Sequence, residues 1–177
     1  MEAIGLHFLW VNKNMDICTV TSQLASEAFR NLLLMTGVLV AIISVIKVQS
    51  TAKKKQTADL MFGCRMDEQL RLGNEMVAAM HDPAGSIKDL LKPDKADGDE
   101  ARSVKYVLNH WERICVGINE GIYHEEMLRQ ANRTNVVTLY RKAKPFIEAV
   151  RHQTGKQTFY KDFEKLALRW EKKPLKV

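Results

Sequence analysis

Between Leu32 and Ile46 the chain reads LLLMTGVLVAIISVI, fifteen residues without a charge in which only Thr36, Gly37 and Ser44 break the apolar run. A helix apolar on every face must be surrounded by lipid or by a large body of protein. A bilayer core takes about 20 residues of helix, with roughly 17 as the lower limit. Asn31 and Val48 flank the run without charge, and the Lys47 stem can lie back along the helix to place its ammonium at the headgroups, so the span reaches that length. We therefore expect a transmembrane helix over residues 23–52, opened by Ser22. The rival, a buried core helix, needs more surrounding protein than the rest of a 177-residue chain supplies.

The charge is divided in the same place. Residues 1–52 carry Lys13, Arg30 and Lys47 against Glu2, Asp16 and Glu27, so the whole excess of +6 falls on residues 53–177. A chain split in this way, 46% hydrophobic overall, is not intrinsically disordered, not a disulfide-rich secreted scaffold and not a uniformly mixed globular protein. Lys47, Lys53, Lys54, Lys55 and Arg65 come after the run and only Lys13 and Arg30 precede it. Cations near a span stay in the cytoplasm, so the N-terminus is expected outside and the bulk of the chain inside. The lysine cluster reads first as this topology signal; attraction to anionic lipid, about 1 kcal/mol per cation, is the alternative. The apolar run starts too far from Met1 for a cleaved signal peptide. Residues 1–22 form an outer tail with a patch of Ile4, Leu6, Phe8, Leu9, Trp10 and Val11. That patch would rest on the headgroups with Trp10 as its anchor, or pack on another subunit.

Beyond the membrane the periodicity is helical. A juxtamembrane helix is expected over 53–82, continuous or nearly so with the span, with Leu60, Cys64, Val77 and Met80 on its inner face and Asp82-Pro83 as its stop. Residues 83–99 read as a linker with one helical turn at IKDLL. A helical domain is expected over 100–173. Asp99 would cap its first helix, whose stripe is Val104, Val107, Leu108, Trp111, Ile114, Cys115 and Ile118 and whose end is Gly121. A short segment, His124 to Ala131, leads to a helix over 136–152 with Val137, Tyr140, Phe146, Ile147 and Val150 inward. Pro145 should kink or restart it, and Gly155 should close it. Thr158 would cap the last helix, with Phe159, Phe163, Leu166, Ala167 and Trp170 inward and Pro174 as its stop. No segment alternates as a strand would, so the fold class is all-α: a transmembrane helix extended into a juxtamembrane helix, then a small cytoplasmic helical bundle.

Chemistry is harder to find. Cys18, Cys64 and Cys115 are far apart, and no Cys/His pair has zinc-ligand spacing, so no metal site is assigned. His124-Glu125-Glu126 offers ligand atoms that a helix would point apart. There is no phosphate loop, nucleophile elbow or dinucleotide fingerprint, and hence no catalytic residue or cofactor to name. Residues 141–177 hold eleven Lys and Arg against four Asp and Glu, a surface that would suit nucleic acid or merely solvated helix faces. The informative polar residues are Asn109, Glu112, Arg151, Tyr160 and Glu164, each beside an apolar stripe. A half-buried carboxylate needs a partner, and Arg151 could satisfy Glu112 or Glu164. The group is either an inter-helix polar lock or the lining of a small cleft for a polar ligand.

The runs KKKQTADLM, VLNHWERICVGINEGIYHEEML and PFIEAVRHQTGKQTFYKDFEKLALRW resemble the bacterial and phage domain of unknown function numbered 4760. The likeness spans Lys53 to Trp170 and is carried by Asn109, Glu112, Gly117, Gly121, Tyr123, Arg151, Tyr160, Phe163, Glu164 and Trp170. It implies one N-terminal membrane helix ahead of a charged juxtamembrane helix, a bacterial inner-membrane location and a phage or mobile-element setting, and it implies no reaction. The expected function is binding, by a protein partner or by self-assembly through the cytoplasmic domain, in superinfection exclusion or phage defence. Two alternatives stand beside it: a membrane-tethered hydrolase or nucleotide-binding protein using the Glu112, Arg151 and Glu164 cluster, and a nucleic-acid contact protein using the basic C-terminal helices.

Overall fold

A computed structural model describes the backbone of residues 2–80 and 87–175 and the side chains of residues 26–80 and 87–175. The described residues form five α-helices and one short 3-10 helix, with no strand. The chain divides into two units, Met1–Ser50 and Thr51–Val177.

The described residues of the first unit are all helical. Helix α1 runs Glu2–Met66, so it starts well before the Ser22 signal; no proline interrupts this stretch. Trp10 and its apolar neighbours have side chains outside the described residues. Leu32, Leu33, Leu34, Met35, Val38, Leu39, Val40, Ile42, Ile43, Val45 and Ile46 are all exposed, around the full circumference of the helix. Burying one such side chain is worth roughly 1.5–3 kcal/mol, which water withholds and hydrocarbon supplies. The two hydroxyls in the run are already satisfied, Thr36 donating to the Leu32 carbonyl at 2.8 Å and Ser44 to the Val40 carbonyl at 2.7 Å. That matters where no water is present to replace a missing bond. This helix is long and apolar enough to cross a membrane.

The second unit is a bundle. Helix α1 stops at Met66, not at Asp82, because Asp67 turns extended and caps a new helix, α2 (Glu68–Ala79). Its carboxylate accepts the Leu70 N–H at 3.0 Å and, through its other oxygen, the Tyr106 hydroxyl at 2.7 Å. The Asp82-Pro83 stop lies outside the described residues. The expected linker is partly structured: Ile87–Leu91 form the 3-10 helix, with Ile87 and Leu90 buried in the core. Helix α3 (Asp99–Asn119) takes Gly98 rather than Asp99 as its N-cap, placing Asp99 and Glu100 in the first turn, where the helix dipole favours them. Its whole expected stripe, from Val104 to Ile118, is buried.

Helix α4 is a single element, Glu125–Thr154, capped by His124, whose Nδ1 accepts the Met127 N–H at 3.2 Å. It neither begins at 136 nor restarts at Pro145, which lies within it. Gly155 closes it in the left-handed region, as Gly121 does just after α3. Helix α5 (Lys161–Glu171) starts two residues later than Thr158 as its cap would place it, and Phe159 is exposed rather than inward. At the other end of α5, Arg133 donates to the Trp170 carbonyl at 2.7 Å and the Glu171 carbonyl at 2.9 Å, satisfying groups the helix leaves open. Trp111 stacks on Phe163 with ring centroids 6.4 Å apart, and Tyr140 meets Phe163 edge-on at 5.9 Å, so α3, α4 and α5 share one aromatic centre.

Candidate binding groove

Two sets of residues in the second unit could carry function: the polar cluster read from the sequence, and a groove that the packing leaves open.

The cluster separates into two contacts and an outlier. Asn109 is exposed. Glu112, on α3, points its carboxylate at the start of α5 and accepts the Phe163 N–H at 2.8 Å and the Asp162 N–H at 3.3 Å. The residue at the N-cap of α5 is Tyr160, the one non-glycine among the described residues with positive φ, at 55°, and its side chain makes no capping bond. Glu112 therefore replaces the missing cap from another helix. Burial, with the Glu112 charge nearby, pushes the Tyr160 hydroxyl up to about 12. Arg151 turns to Glu164: its Nη2 stands 2.8 Å from Oε2, an ion-pair distance without hydrogen-bond alignment, and its Nε donates to the Phe159 carbonyl at 3.0 Å. Burial alone would raise the Glu164 carboxyl, but the Tyr140 hydroxyl at 2.5 Å and the Arg151 charge bring it below its ordinary value. Glu112 and Arg151 thus each fasten α5 to a neighbour, and the arrangement is that of an inter-helix lock. The lysines expected at the interface, Lys47, Lys53, Lys54 and Lys55, are all exposed.

The groove opens between the last turns of α1 and helices α2, α3 and α4 and encloses about 640 Å³. Its floor is continuous with the core: Trp111 and Ile114 from α3, Leu128 and Leu139 from α4, Leu70 and Val77 from α2. Leu60, Met61 and Cys64 form the α1 wall, and Asn135, Thr138 and Lys142 line the α4 side. Arg65, Arg71, Glu75 and Lys142 give the mouth three positive charges against one negative, with Arg71 paired to Glu68 and Glu75. A site of this size, apolar at its base and polar around its edge, suits an apolar side chain or a short helix face.

Three polar contacts hold the α1 wall in place. The Thr57 hydroxyl, fully buried, donates to the Lys53 carbonyl at 2.8 Å and accepts the His124 N–H at 2.8 Å. The Cys64 Sγ lies 3.3 Å from His110 Nε2. Burial raises the Cys64 thiol, reinforced by the Asp67 charge, and burial lowers His110 against the pull of Asp67. Both shifts favour the neutral thiol and neutral imidazole, so the pair is a hydrogen bond between helices and not a thiolate poised for attack. The third contact is Asp67 with Tyr106. None of Thr57, His110 or Tyr106 stands out in the sequence. Thr57 has one available signal, a polar residue in helical phase with Leu60 and Cys64 on the inner face.

The family model for the Domain of unknown function DUF4760 matches residues 31–170. The chain belongs to this family. The match takes in the apolar run, the groove and the α5 lock alike, and the family's description names no activity. No curated protein and no solved structure matches the chain.

Proposed function

We propose that this is a single-pass protein of the bacterial inner membrane, with its N-terminus outside and its helical domain in the cytoplasm, where the domain acts by binding a protein partner in the groove. The observation that carries this reading is the groove itself, where the core residues Trp111, Ile114 and Leu139 border an open space. The occupant best suited is an amphipathic helix with an acidic flank, since its apolar side chains would meet the floor and its carboxylates Arg65 and Lys142. The lysines and arginines after the apolar run support the orientation. Superinfection exclusion or phage defence is the setting we propose for such a binder.

Ala131 is on the groove's edge and not in the core, so Ala131→Trp narrows the groove without entering the core. Cells carrying the wild-type gene should plate an incoming phage less efficiently than cells without it. The Ala131→Trp protein, matched for membrane abundance and thermal midpoint, should lose that protection together with the partner co-purified by the wild type. Full protection and unchanged co-purification by the variant would remove the groove from the function.

A further inference from the structure

The second unit begins at Thr51, and the end of the bundle around that point is assembled from α1, α3, α4 and α5. The Lys53 ammonium lies over the turn that closes α3, 3.1 Å from where a Cβ on Gly121 would stand, and Thr57 holds the His124 N–H at the start of α4. The end of α5 comes to the same place, because Arg129 donates to the Lys173 carbonyl at 2.9 Å and Arg133 to the Glu171 carbonyl at 2.9 Å. Pro174 and Leu175 then lie beside Glu126, Arg129 and Gln130. Packing thus gathers Lys53 and Lys54 with Lys172 and Lys173, about 120 positions further along the chain. All four lysines are exposed, and among the described residues none is paired with a carboxylate. The acids at this end are occupied, apart from Glu120: Glu125 is 3.0 Å from Arg169, Glu126 is 2.6 Å from Arg129, and Glu171 is bound to Arg141. At the same end Ile122 and Leu175 are exposed, by 46% and 38%.

We infer that this end docks on the anionic headgroups of the membrane in which the chain is anchored, its lysines meeting lipid phosphates while Ile122 and Leu175 enter the boundary between headgroups and acyl chains. Two observations select lipid over a nucleic acid, whose phosphates the lysines would equally meet. Apolar side chains beside the cations gain nothing on a phosphate backbone, whereas a bilayer takes both. Lys53 also follows Ile46, the last residue of the apolar run, by only seven residues. So short a tether keeps this end at the membrane surface, and docking costs little further freedom. The cluster Lys53 to Lys55, which the sequence presents first as a topology signal, becomes one part of a surface that α3, α4 and α5 complete. The groove stays clear of it, since its α1 wall starts at Leu60, two turns beyond Lys53. This step rests on the proposed membrane anchoring; the groove is not required for it.

The test uses the full-length protein reconstituted into vesicles of phosphatidylcholine alone or of an equal mixture with phosphatidylglycerol. The photoreactive p-benzoylphenylalanine stands at position 122, at 175, or at the exposed Asn109 of α3 as a control. Irradiation in the mixed vesicles should add the mass of one phospholipid at 122 and 175 and not at 109. The yield should fall several-fold in phosphatidylcholine alone and at high salt. Lys172→Gln and Lys173→Gln leave the topology signal untouched; at an unchanged thermal midpoint, each should lower the ratio of docked to undocked protein, read from the yield, roughly fivefold. Equal yields in the two lipids, equal yields from all three positions, no effect of the two lysine changes, or no lipid adduct from protein retained in the vesicles overturns the docking. A product of twice the chain mass from 122 overturns it as well, by making the patch a protein contact. Release of the protein from the vesicles at alkaline pH would overturn the membrane anchoring instead.

Discussion

The backbone N–H of Phe163 donates to the Glu112 carboxylate at 2.8 Å, joining residues 51 positions apart and giving α5 the cap its own sequence lacks. Glu112→Ala leaves the N–H groups of Asp162 and Phe163 without their acceptor at the start of a helix. The expected loss is about 1–3 kcal/mol, measured by urea unfolding of the full-length protein in mild detergent. Glu112→Gln keeps one acceptor oxygen and should lose less. Equal losses for the two would mean that the charge, and not the cap, is what α5 requires.

Thr57 makes a comparable tie between α1 and the start of α4. Thr57→Val keeps the shape but leaves the His124 N–H without its acceptor, so a loss of about 1–3 kcal/mol is expected. Thr57→Ser retains the hydroxyl and should stay near wild type in the same unfolding experiment. A Val variant as stable as the Ser variant would show that the bond contributes nothing.

Gly73 and Gly117 separate two kinds of close packing. A Cβ at Gly73 would stand 2.5 Å from the Ser103 carbonyl oxygen, part of the α3 backbone, which cannot swing aside. The gain of about 1 kcal/mol in helix propensity from Gly to Ala is thus set against overpacking worth about 1–3 kcal/mol, and Gly73→Ala should destabilise. At Gly117 the neighbour is the half-buried Tyr123 ring, 2.4 Å away, and a ring can rotate. Gly117→Ala should therefore cost less, and pairing it with Tyr123→Ala should relieve the contact. Thermal midpoints of wild type and the three variants decide this.

Acid should weaken the bundle in two stages. Burial lowers the His110 pKa in the folded protein below its ordinary value of 6.5, so the unfolded chain binds the proton more readily. The stability that His110 confers is complete above pH 6.5 and declines as pH falls from there toward the folded value. The Tyr106 hydroxyl, outweighing a smaller burial effect, holds the Asp67 carboxyl below its ordinary value of 3.8, so a second loss comes at lower pH. Thermal midpoints of wild type and His110→Gln, measured across both stages, check this. The variant should show a flatter upper limb, and parallel curves would assign the first stage to another group.

How far the sequence can be read depends on how local each signal is. The α3 stripe from Val104 to Ile118 and the α4 stripe through Tyr140, Phe146 and Val150 are legible because helical burial repeats within a few residues. The break at Asp67 is not, since Leu60, Cys64, Val77 and Met80 keep helical phase across it and aspartate inside a charged helix is unremarkable. Thr158 looks like a cap because it is the right residue type; the α5 start instead depends on Tyr160 and on a carboxylate from α3. Of the expected polar cluster, Glu112, Arg151 and Glu164 prove to be engaged in holding α5, and Asn109 is exposed.

By itself, the sequence determined that the stretch from Leu32 to Ile46 is apolar enough for a membrane, that all the excess charge follows it, and that the segments carrying apolar stripes beyond it have a helical period. These are properties of composition and short-range period, which need no knowledge of what packs on what. Tertiary structure alone decided that Asp67 meets Tyr106, that Thr57 meets His124, that Glu112 caps α5, and that a groove stays open between α1 and α4. Those pairs lie 39 to 67 residues apart. Contacts over such distances are set by how whole helix faces pack, and no residue's immediate neighbours specify them.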